Sequence, residues 1–355
     1  MSDLTQQLIE QVNSAIADQQ PLSIVGNNTK AFLRANQNNT LPKLSLTGHR
    51  GITSYKPVEL VMTARAGTPL TEIEAALAEH GQMLPCESPL FATNSHPGAT
   101  IGGTLAANIS GPARPWCGSI RDLTLGIKLI NGKGEHLTFG GQVMKNVAGY
   151  DVSRLQAGAM GSLGVITEIS FKVLPKPATT RTLVIEIDAA GAIRMMNKVS
   201  ALPKPLTGAC WVGGHLYLRL AGANSAVEET LKQWPGEQLD EDDHFWHTIR
   251  EMQLAHYQNP PLWRFSIAST AEHFLPDETW IIDWGGAQRW LRGEFSAKQL
   301  QTFAQAAGGH VSLFKGQDHQ RFQEIETSSV KHHLYRQLKA AFDPLGLFNP
   351  ALLHP

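Results

Sequence analysis

Gly98-Ala99-Thr100-Ile101-Gly102-Gly103 and Gly158-Ala159-Met160-Gly161-Ser162-Leu163-Gly164-Val165-Ile166-Thr167 are two glycine-rich stretches in the first half of the chain. Glycine allows positive φ and lets backbone N–H groups approach an anion without a Cβ in the way, as a phosphate-bearing cofactor requires. The second stretch is spaced G-x-x-G-x-x-G, and neither G-x-G-x-x-G nor G-x-x-x-x-G-K-[ST] occurs in the chain. The sequence therefore excludes a Rossmann fingerprint and a P-loop.

Further motifs follow these stretches in a fixed order. A G-x-x-R-D segment stands at Gly118 to Asp122, the run Lys145 to Asp151 reads K-N-V-A-G-Y-D, and the chain closes on Asp343-Pro344 and Asn349-Pro350. This order resembles FAD-linked oxidases of the vanillyl-alcohol-oxidase, or PCMH, type over most of the chain. Within that superfamily, the total length, the run at 145–151 and the run G-P-A-R-P-W at 111–116 resemble the FAD-binding E subunits of bacterial glycolate oxidases.

The resemblance implies an α+β fold in which a two-subdomain PCMH-type FAD-binding domain carries a cap domain. The cap of this superfamily is an antiparallel sheet covered by helices. We expect residues 1–177 to form the FAD-binding domain, residues 179–320 the cap, and residues 321–355 to return to the FAD-binding domain.

Bulk composition narrows the function classes. The balance of 30 Lys and Arg against 31 Asp and Glu offers no basic stripe for a nucleic acid. Three scattered cysteines, Cys86, Cys117 and Cys210, form no C-x-x-C, which argues against disulfides, structural zinc or an iron–sulfur cluster and fits a reduced cytoplasm. No run of about 18 apolar residues is present, so we expect any contact with the inner membrane to be made through a partner.

Periodicity predicts several elements of the first domain. They are an N-terminal amphipathic helix with Leu4, Leu8, Val12 and Ile16 on one face, strands at Leu22 to Gly26 and Leu60 to Gly67, a helix with Thr68 as N-cap and Gly81 at its stop, a hairpin at Asn131-Gly132, and an alternating strand from Val165 to Val173 that Pro175 ends.

The second domain shows a rhythm that recurs in part. The predicted elements are a strand at Leu183 to Asp188, a helix to about Ser200, two strands joined at Gly213-Gly214, a helix from Asn224 to Trp234, a strand at Leu262 to Ala268, a second hairpin around Gly285-Gly286, and a helix from Ser296 to Ala307. A last helix, Val330 to Phe342, returns to the FAD-binding domain.

The resemblance also implies which residues bind FAD. The loop after the first strand, Gly26, Asn27, Asn28, Thr29 and Lys30, would contact the pyrophosphate, although from the residues alone it is also an ordinary strand-end turn. The other implied residues are Gly98, Ala99, Thr100, Gly102 and Gly103, which open a helix whose dipole could oppose the diphosphate; Gly118, Ser119 and Arg121 near the flavin; and Gly149, Tyr150, Gly161, Gly164, Val165 and Ile166 along the ribityl and adenine side. The first loop holds no His or Cys, so we expect noncovalent FAD.

The catalytic residues stay unknown, and no metal is expected. His244 and His247, the adjacent His332 and His333, and the lone His310 lack ligand partners at suitable spacing. The histidine-rich cap motifs of full-length 2-hydroxyacid dehydrogenases are missing, and Leu352 stands where their terminal motif has a basic residue.

Three hypotheses remain. The first is an FAD-binding subunit of a glycolate oxidase complex, in which a sister flavoprotein subunit oxidises glycolate to glyoxylate and an iron–sulfur subunit takes the electrons. The second is an autonomous FAD-dependent 2-hydroxyacid dehydrogenase, with Arg264 or Arg289 of the cap recognising the substrate carboxylate. The third is a non-catalytic assembly subunit.

Overall fold

A computed structural model describes residues 2–33, 40–93, 95–142, 150–240, 242–275, 280–316 and 329–350. Its helices are α1 (Thr5–Ala17), α2 (Leu70–Ala78), α3 (Ile101–Ala107), α4 (Arg114–Cys117), α5 (Ile120–Leu123), α6 (Val152–Leu155), α7 (Ala189–Ser200), α8 (Asn224–Gln233), α9 (Asp242–Arg250), α10 (Ala255–Gln258), α11 (Ala297–Ala306) and α12 (Ser329–Phe342).

The strands are β1 (Ser23–Val25), β2 (Lys43–Ser45), β3 (Ile52–Lys56), β4 (Val61–Arg65), β5 (Gln82–Met83), β6 (Thr124–Ile130), β7 (His136–Gly140), β8 (Val165–Lys172), β9 (Leu174–Pro175), β10 (Thr179–Glu186), β11 (Leu206–Val212), β12 (His215–Gly222), β13 (Glu237–Gln238), β14 (Leu262–Ser266), β15 (Trp280–Asp283), β16 (Gln288–Arg292) and β17 (His310–Lys315).

The described residues form two compact units, of which the first lies within Met1–Ser110, Gly118–Pro175 and Glu326–Pro355. Its main sheet has five antiparallel strands in the order β3-β4-β8-β6-β7. The short parallel pair β1 and β2 lies apart from that sheet. The apolar stripe of α2, Leu70, Ile73 and Leu77, is fully buried in the core of this unit together with Leu8 and Val12 of α1. These helices therefore follow the predicted apolar spacing.

One local expectation for the first unit needs correction. The N-cap of α2 is Pro69, and the Thr68 hydroxyl makes no cap. Instead that hydroxyl donates to Arg65 O at 2.7 Å and accepts from Gly51 N at 2.9 Å, which ties β4 to the segment before β3. The hairpin predicted at Asn131-Gly132 forms between β6 and β7, and the Asn131 side chain organises its turn by accepting from the backbone N–H of Lys133 and Glu135.

The second unit lies within Gly111–Cys117 and Lys176–Ile325. Its eight strands form one antiparallel sheet in the order β13-β10-β12-β11-β15-β16-β14-β17. Residues from α7, α8 and α11 share a core cluster with the sheet, and the hairpins around Gly213-Gly214 and Gly285-Gly286 form as predicted. The α+β class with an antiparallel, helix-covered second sheet is thus the observed architecture.

The segment 111–117 belongs to the second unit, although the sequence-based boundary placed it in the first domain. Trp284 Nε1 donates to Gly111 O at 2.9 Å, and Trp116 packs against the core of the second unit. The two bonded residues are 173 positions apart, so no local pattern could reveal their contact.

Within the described ranges, no helix is both long enough and apolar enough to cross a lipid bilayer.

Candidate FAD site

A glycine-containing loop at the end of β1 forms one wall of a cavity in the first unit. The loop is Gly26 to Lys30, and the facing walls come from Thr100, Gly103 and the C-terminal turn of α3, with Met160 closing one side. The cavity has a volume of about 70 Å³ and is open to solvent.

The backbone of this loop has hydrogen-bond donors to spare. The amides of Gly26, Asn27 and Thr29 donate to no acceptor among the described residues. The Asn27 side chain fixes the loop by donating to Gly98 O at 2.7 Å. Lys30 lies at the end of the loop with only 7 % of its surface exposed. Free amides next to a buried cation are complementary to a phosphate.

Helix α3, in contrast, has no free donors in its first turn. Ile101 N donates to Thr68 O, Gly102 N to Ala66 O, and Gly103 N to the Thr100 hydroxyl that caps the helix. These amides are therefore bonded within the protein, whereas the loop after β1 has amides without an acceptor among the described residues. That the dipole of α3 opposes a diphosphate stays a prediction.

The glycines at 26, 102 and 103 are required for different physical reasons. A Cβ on Gly26 would collide with the Thr100 hydroxyl, and one on Gly103 would lie 3.2 Å from the same atom, so both keep the cavity open. A Cβ on Gly102 would lie 2.7 Å from the Ala66 Cβ, which shows that Gly102 serves the packing of α3 against the residue after β4. Ala99 is buried; its backbone N–H donates to Leu90 O, and its carbonyl oxygen accepts from Leu70 N.

A group of buried polar atoms that sequence reasoning missed follows the cavity along α3. Thr104 Oγ1, Asn108 Oδ1, Ser110 Oγ and both amide atoms of Gln156 have no hydrogen-bond partner within the described chain. The turn after Gln156 docks on α3 through Gly158 N to Leu105 O and Met160 N to Ala106 O. A buried polar group without a partner costs about 1–3 kcal/mol, so these atoms fit the polar edge of a bound ligand. The sequence offered one signal for these residues, an asparagine at the end of α3, where the structure has a left-handed C-cap (Asn108, φ 49°).

The remaining predicted residues are spread through the first unit. Gly118 and Ser119 lead into α5, where the Asp122 carboxylate accepts from both N and Oγ of Ser119. Arg121 is exposed and has no ion pair in the described part of the chain. Tyr150 is 97 % exposed, and Gly149 and Leu352 lie outside the described residues.

The other end of the second glycine stretch lies in the core. Gly161 has φ 74° and approaches Ile24 and the Asn349 amide, so it borders the strand that leads into the first loop. Gly164 packs against Leu129, and Val165 and Ile166 are buried where β8 pairs with β6.

Comparison with known proteins identifies the family of the chain. An FAD-binding-domain family model matches residues 3–140. The glycolate oxidase subunit GlcE of Escherichia coli (strain K12) is 45 % identical over 99 % of this chain and 98 % of its own length. The chain belongs to the GlcE family. It carries an FAD-binding domain, so the predicted family and the predicted FAD cofactor are confirmed.

More distant matches extend beyond the GlcE family. The glycolate oxidase subunit GlcD of Bacillus subtilis (strain 168) is 40 % identical over 26 % of this chain and 20 % of its own length. A solved structure of alkyldihydroxyacetonephosphate synthase superposes with a TM-score of 0.64 at 14 % identity, covering 97 % of this chain and 75 % of the synthase. The structural likeness shows that this GlcE-family chain has the same fold.

Candidate acid–base and metal residues are not brought together. His244, His247 and His310 are exposed, and the described residues contain no group of three or more His, Cys, Asp and Glu able to hold a metal. Arg289 is fully buried and donates to the carbonyl oxygens of Ala271, Glu272 and Gly286. Its guanidinium is committed to the protein's own backbone, so of the two arginines predicted to recognise a carboxylate only Arg264 stays a candidate.

Proposed function

We propose that this chain is an FAD-binding subunit of a glycolate oxidase complex, in which glycolate is oxidised to glyoxylate. The observation that carries the proposal is the end-to-end match to a GlcE subunit. The amides of Gly26, Asn27 and Thr29, which have no acceptor among the described residues, support it because such donors are complementary to a pyrophosphate. Bound FAD would supply a two-electron acceptor for the complex.

Each part of the site has its own task in this proposal. The loop Gly26 to Lys30 would bind the pyrophosphate, and Gly26 and Gly103 would keep Cβ atoms away from it. Gly161, Gly164, Val165 and Ile166 would border the adenine side, with Gly118, Ser119 and Arg121 nearer the flavin. The unpaired polar atoms of Asn108 and Gln156 would then receive polar atoms of the cofactor and exclude water from them.

The flavin in this proposal is noncovalent. The twelve residues that line the cavity include no His and no Cys, and these are the side chains to which relatives attach FAD. Acid precipitation should release all FAD into the supernatant. Protein that stays fluorescent in a denaturing gel, and loses the fluorescence in Cys117→Ser, would contradict this point.

The chain would work with two partners, a sister flavoprotein subunit and an iron–sulfur subunit, in the cytoplasm or at the inner membrane through the complex. The reason is chemical: three scattered cysteines provide no second redox centre, so electrons must leave through another polypeptide. A pull-down of the tagged chain from native extract tests this directly. The eluate should contain both partners and show flavin and iron–sulfur absorption. A monomeric eluate, with or without flavin, would contradict the proposal that the chain works in a complex.

A further inference from the structure

Two arginines converge on one tryptophan in the second unit. The Arg114 guanidinium carbon lies 4.5 Å from the centroid of the Trp284 ring, and that of Arg264 lies 5.3 Å from the same ring. Arg264 is also 5.8 Å from the Trp290 ring. Both indoles are only 5 % exposed, so the cations rest on a fixed aromatic surface.

Neither arginine has a counter-ion among the described residues. Among the residues that the structure describes, no Asp or Glu forms an ion pair with Arg114 or Arg264. Partial burial and, second, the charge of Arg114 lower the pKa of Arg264 to about 10, which leaves it charged at neutral pH. Two neighbouring cations without an anion repel each other, so an arriving anion would be stabilised by both.

The hydrogen bonds of Arg264 leave its terminal fork available. Its Nε donates to Oε1 of the buried Gln288 at 2.8 Å, and this bond fixes the plane of the guanidinium. Nη1 and Nη2 donate to nothing in the described ranges. Two parallel N–H donors held in a plane match the two oxygens of a carboxylate. Arg289, one strand position away from Gln288, differs because its donors are used by backbone carbonyls.

The backbone holds the aromatic platform in an uncommon conformation. Trp284 has φ 54°, a left-handed value that is rare for a bulky residue, and the Asp283 carboxylate accepts from its amide at 2.7 Å. Trp284 Nε1 is fixed in turn by Gly111 O, which also anchors the segment that carries Arg114. The hydrogen bonds of its amide and its indole N–H thus hold Trp284 against both cations. A strained left-handed φ persists where surrounding contacts fix the residue in this way.

We propose that Arg264 and Arg114, on the Trp284 and Trp290 surface, form a binding site for the carboxylate of a small organic acid. The site is narrow because the indoles flank Arg264 and only Arg114 is exposed. It rests on the proposed function only for the identity of the natural acid, which would be a 2-hydroxy acid. The site itself lies within the second unit and does not involve the residues that would hold FAD.

Oxalate, a small dicarboxylate with no hydroxyl to oxidise, is a suitable probe. All eight tryptophans of the chain, Trp284 and Trp290 among them, fall in the second unit, so their emission reports this unit. Titration of the full chain with oxalate, at constant ionic strength made up with chloride, should change tryptophan emission and give saturable heat in calorimetry. Absence of saturable binding would overturn the site.

Variants identify the residues. Arg264→Gln should weaken oxalate binding by at least about tenfold, because the two terminal donors of the guanidinium are lost. The oxalate affinity of Arg264→Lys should lie between those of Arg264→Gln and the unmodified chain, since lysine keeps the charge but not the two parallel donors. Arg114→Gln, an exposed change that leaves the core intact, should weaken binding about threefold or more. Arg292→Gln is the matched control: it removes an exposed charge from β16 and should leave affinity within about twofold.

The outcomes separate this inference from the proposed function. Equal oxalate affinity in Arg114→Gln, Arg264→Gln and the unmodified chain would overturn the carboxylate site while FAD content stays a separate measurement. Normal oxalate binding in a chain that never takes up FAD would sustain the site and defeat the proposed function.

Discussion

At the residue scale, the cavity that we propose for FAD stays open because Gly26 and Gly103 have no side chains. Gly103 has no positive φ, so a valine there is compatible with the helix but places its branch against the Thr100 hydroxyl and into the cavity. We expect Gly103→Val to fold and to bind FAD more than about tenfold more weakly, which corresponds to over ~1.4 kcal/mol. The protein should purify colourless.

The control for this change is Gly141→Val. Gly141 lies in the same unit with nothing within 4 Å of an added Cβ, so it should purify yellow with normal FAD content. Flavin absorbance per chain, with circular dichroism for folding, decides the matter. A folded Gly103→Val protein with stoichiometric FAD would refute the site. Gly161→Val is a poorer test because φ 74° at Gly161 would strain any side chain.

A buried histidine should make the stability of the second unit depend on pH. His256 Nε2 lies 3.1 Å from Trp290 O, and burial lowers the pKa of His256 to about 4. Because the unfolded chain titrates near 6.5, the stabilisation is complete above about pH 6.5, falls as the pH drops and is gone below about pH 4; it amounts to at most about 3 kcal/mol.

Urea unfolding at several pH values, followed by tryptophan emission, measures this effect. His256→Gln should flatten the loss of unfolding free energy between pH 6.5 and 4. His244→Gln changes an exposed histidine of the same unit and should leave the slope as it is. An unchanged slope in His256→Gln would show that another group governs the acid response.

At the element scale, the start of α2 illustrates a limit of sequence patterns. Thr68 precedes a proline and an apolar stripe, which is the usual signature of an N-cap, yet its hydroxyl bonds to Gly51 and Arg65. The pattern located the helix correctly because Leu70, Ile73 and Leu77 carry its periodicity. It could not show that a strand neighbour competes for the hydroxyl, since that contact spans 17 residues.

This arrangement predicts a specific loss of stability. Thr68 is fully buried, and Thr68→Val keeps its shape but leaves Gly51 N without its acceptor, whereas Arg65 O still accepts from the backbone N–H of residue 68. The free energy of unfolding should fall by about 1–3 kcal/mol. Thr68→Ser keeps the hydroxyl and should cost no more than about 1 kcal/mol, the value of one buried methyl group. Urea titrations followed by far-ultraviolet circular dichroism compare the two; equal losses would contradict the hydrogen-bond account.

At the scale of the whole molecule, local periodicity and turn residues placed most elements of both units, including the two hairpins of the large sheet. The parts that the sequence did not reveal depend on contacts between distant residues. Gly26 and Gly102 cannot be told apart by residue type. Their roles differ because an added Cβ would meet Thr100 at Gly26 and Ala66 at Gly102. The unpaired Gln156 and the pairing of Arg114 with Trp284 are likewise products of tertiary packing.

The whole chain also determines what it can do alone. It has an FAD-binding domain, and the described histidines of its second unit include His256, whose Nε2 lies beside Trp290 O, and His273, which packs against Trp211 and Trp280. General acid–base catalysis needs a group of suitable pKa within hydrogen-bond reach of the substrate hydroxyl, and our proposal assigns that group to the sister flavoprotein subunit.

We accordingly expect the isolated, FAD-loaded chain to reduce dye with glycolate at a negligible rate. Addition of the sister flavoprotein and iron–sulfur subunits should restore turnover at rates typical of enzymes, on the order of 1 to 10³ s⁻¹. Gly103→Val in the reconstituted complex separates two roles for this subunit: lost turnover places its flavin on the electron path, whereas normal turnover assigns it to assembly. Steady glycolate oxidation by the chain alone would replace the subunit proposal with an autonomous dehydrogenase, because the catalytic base would then have to lie in this chain.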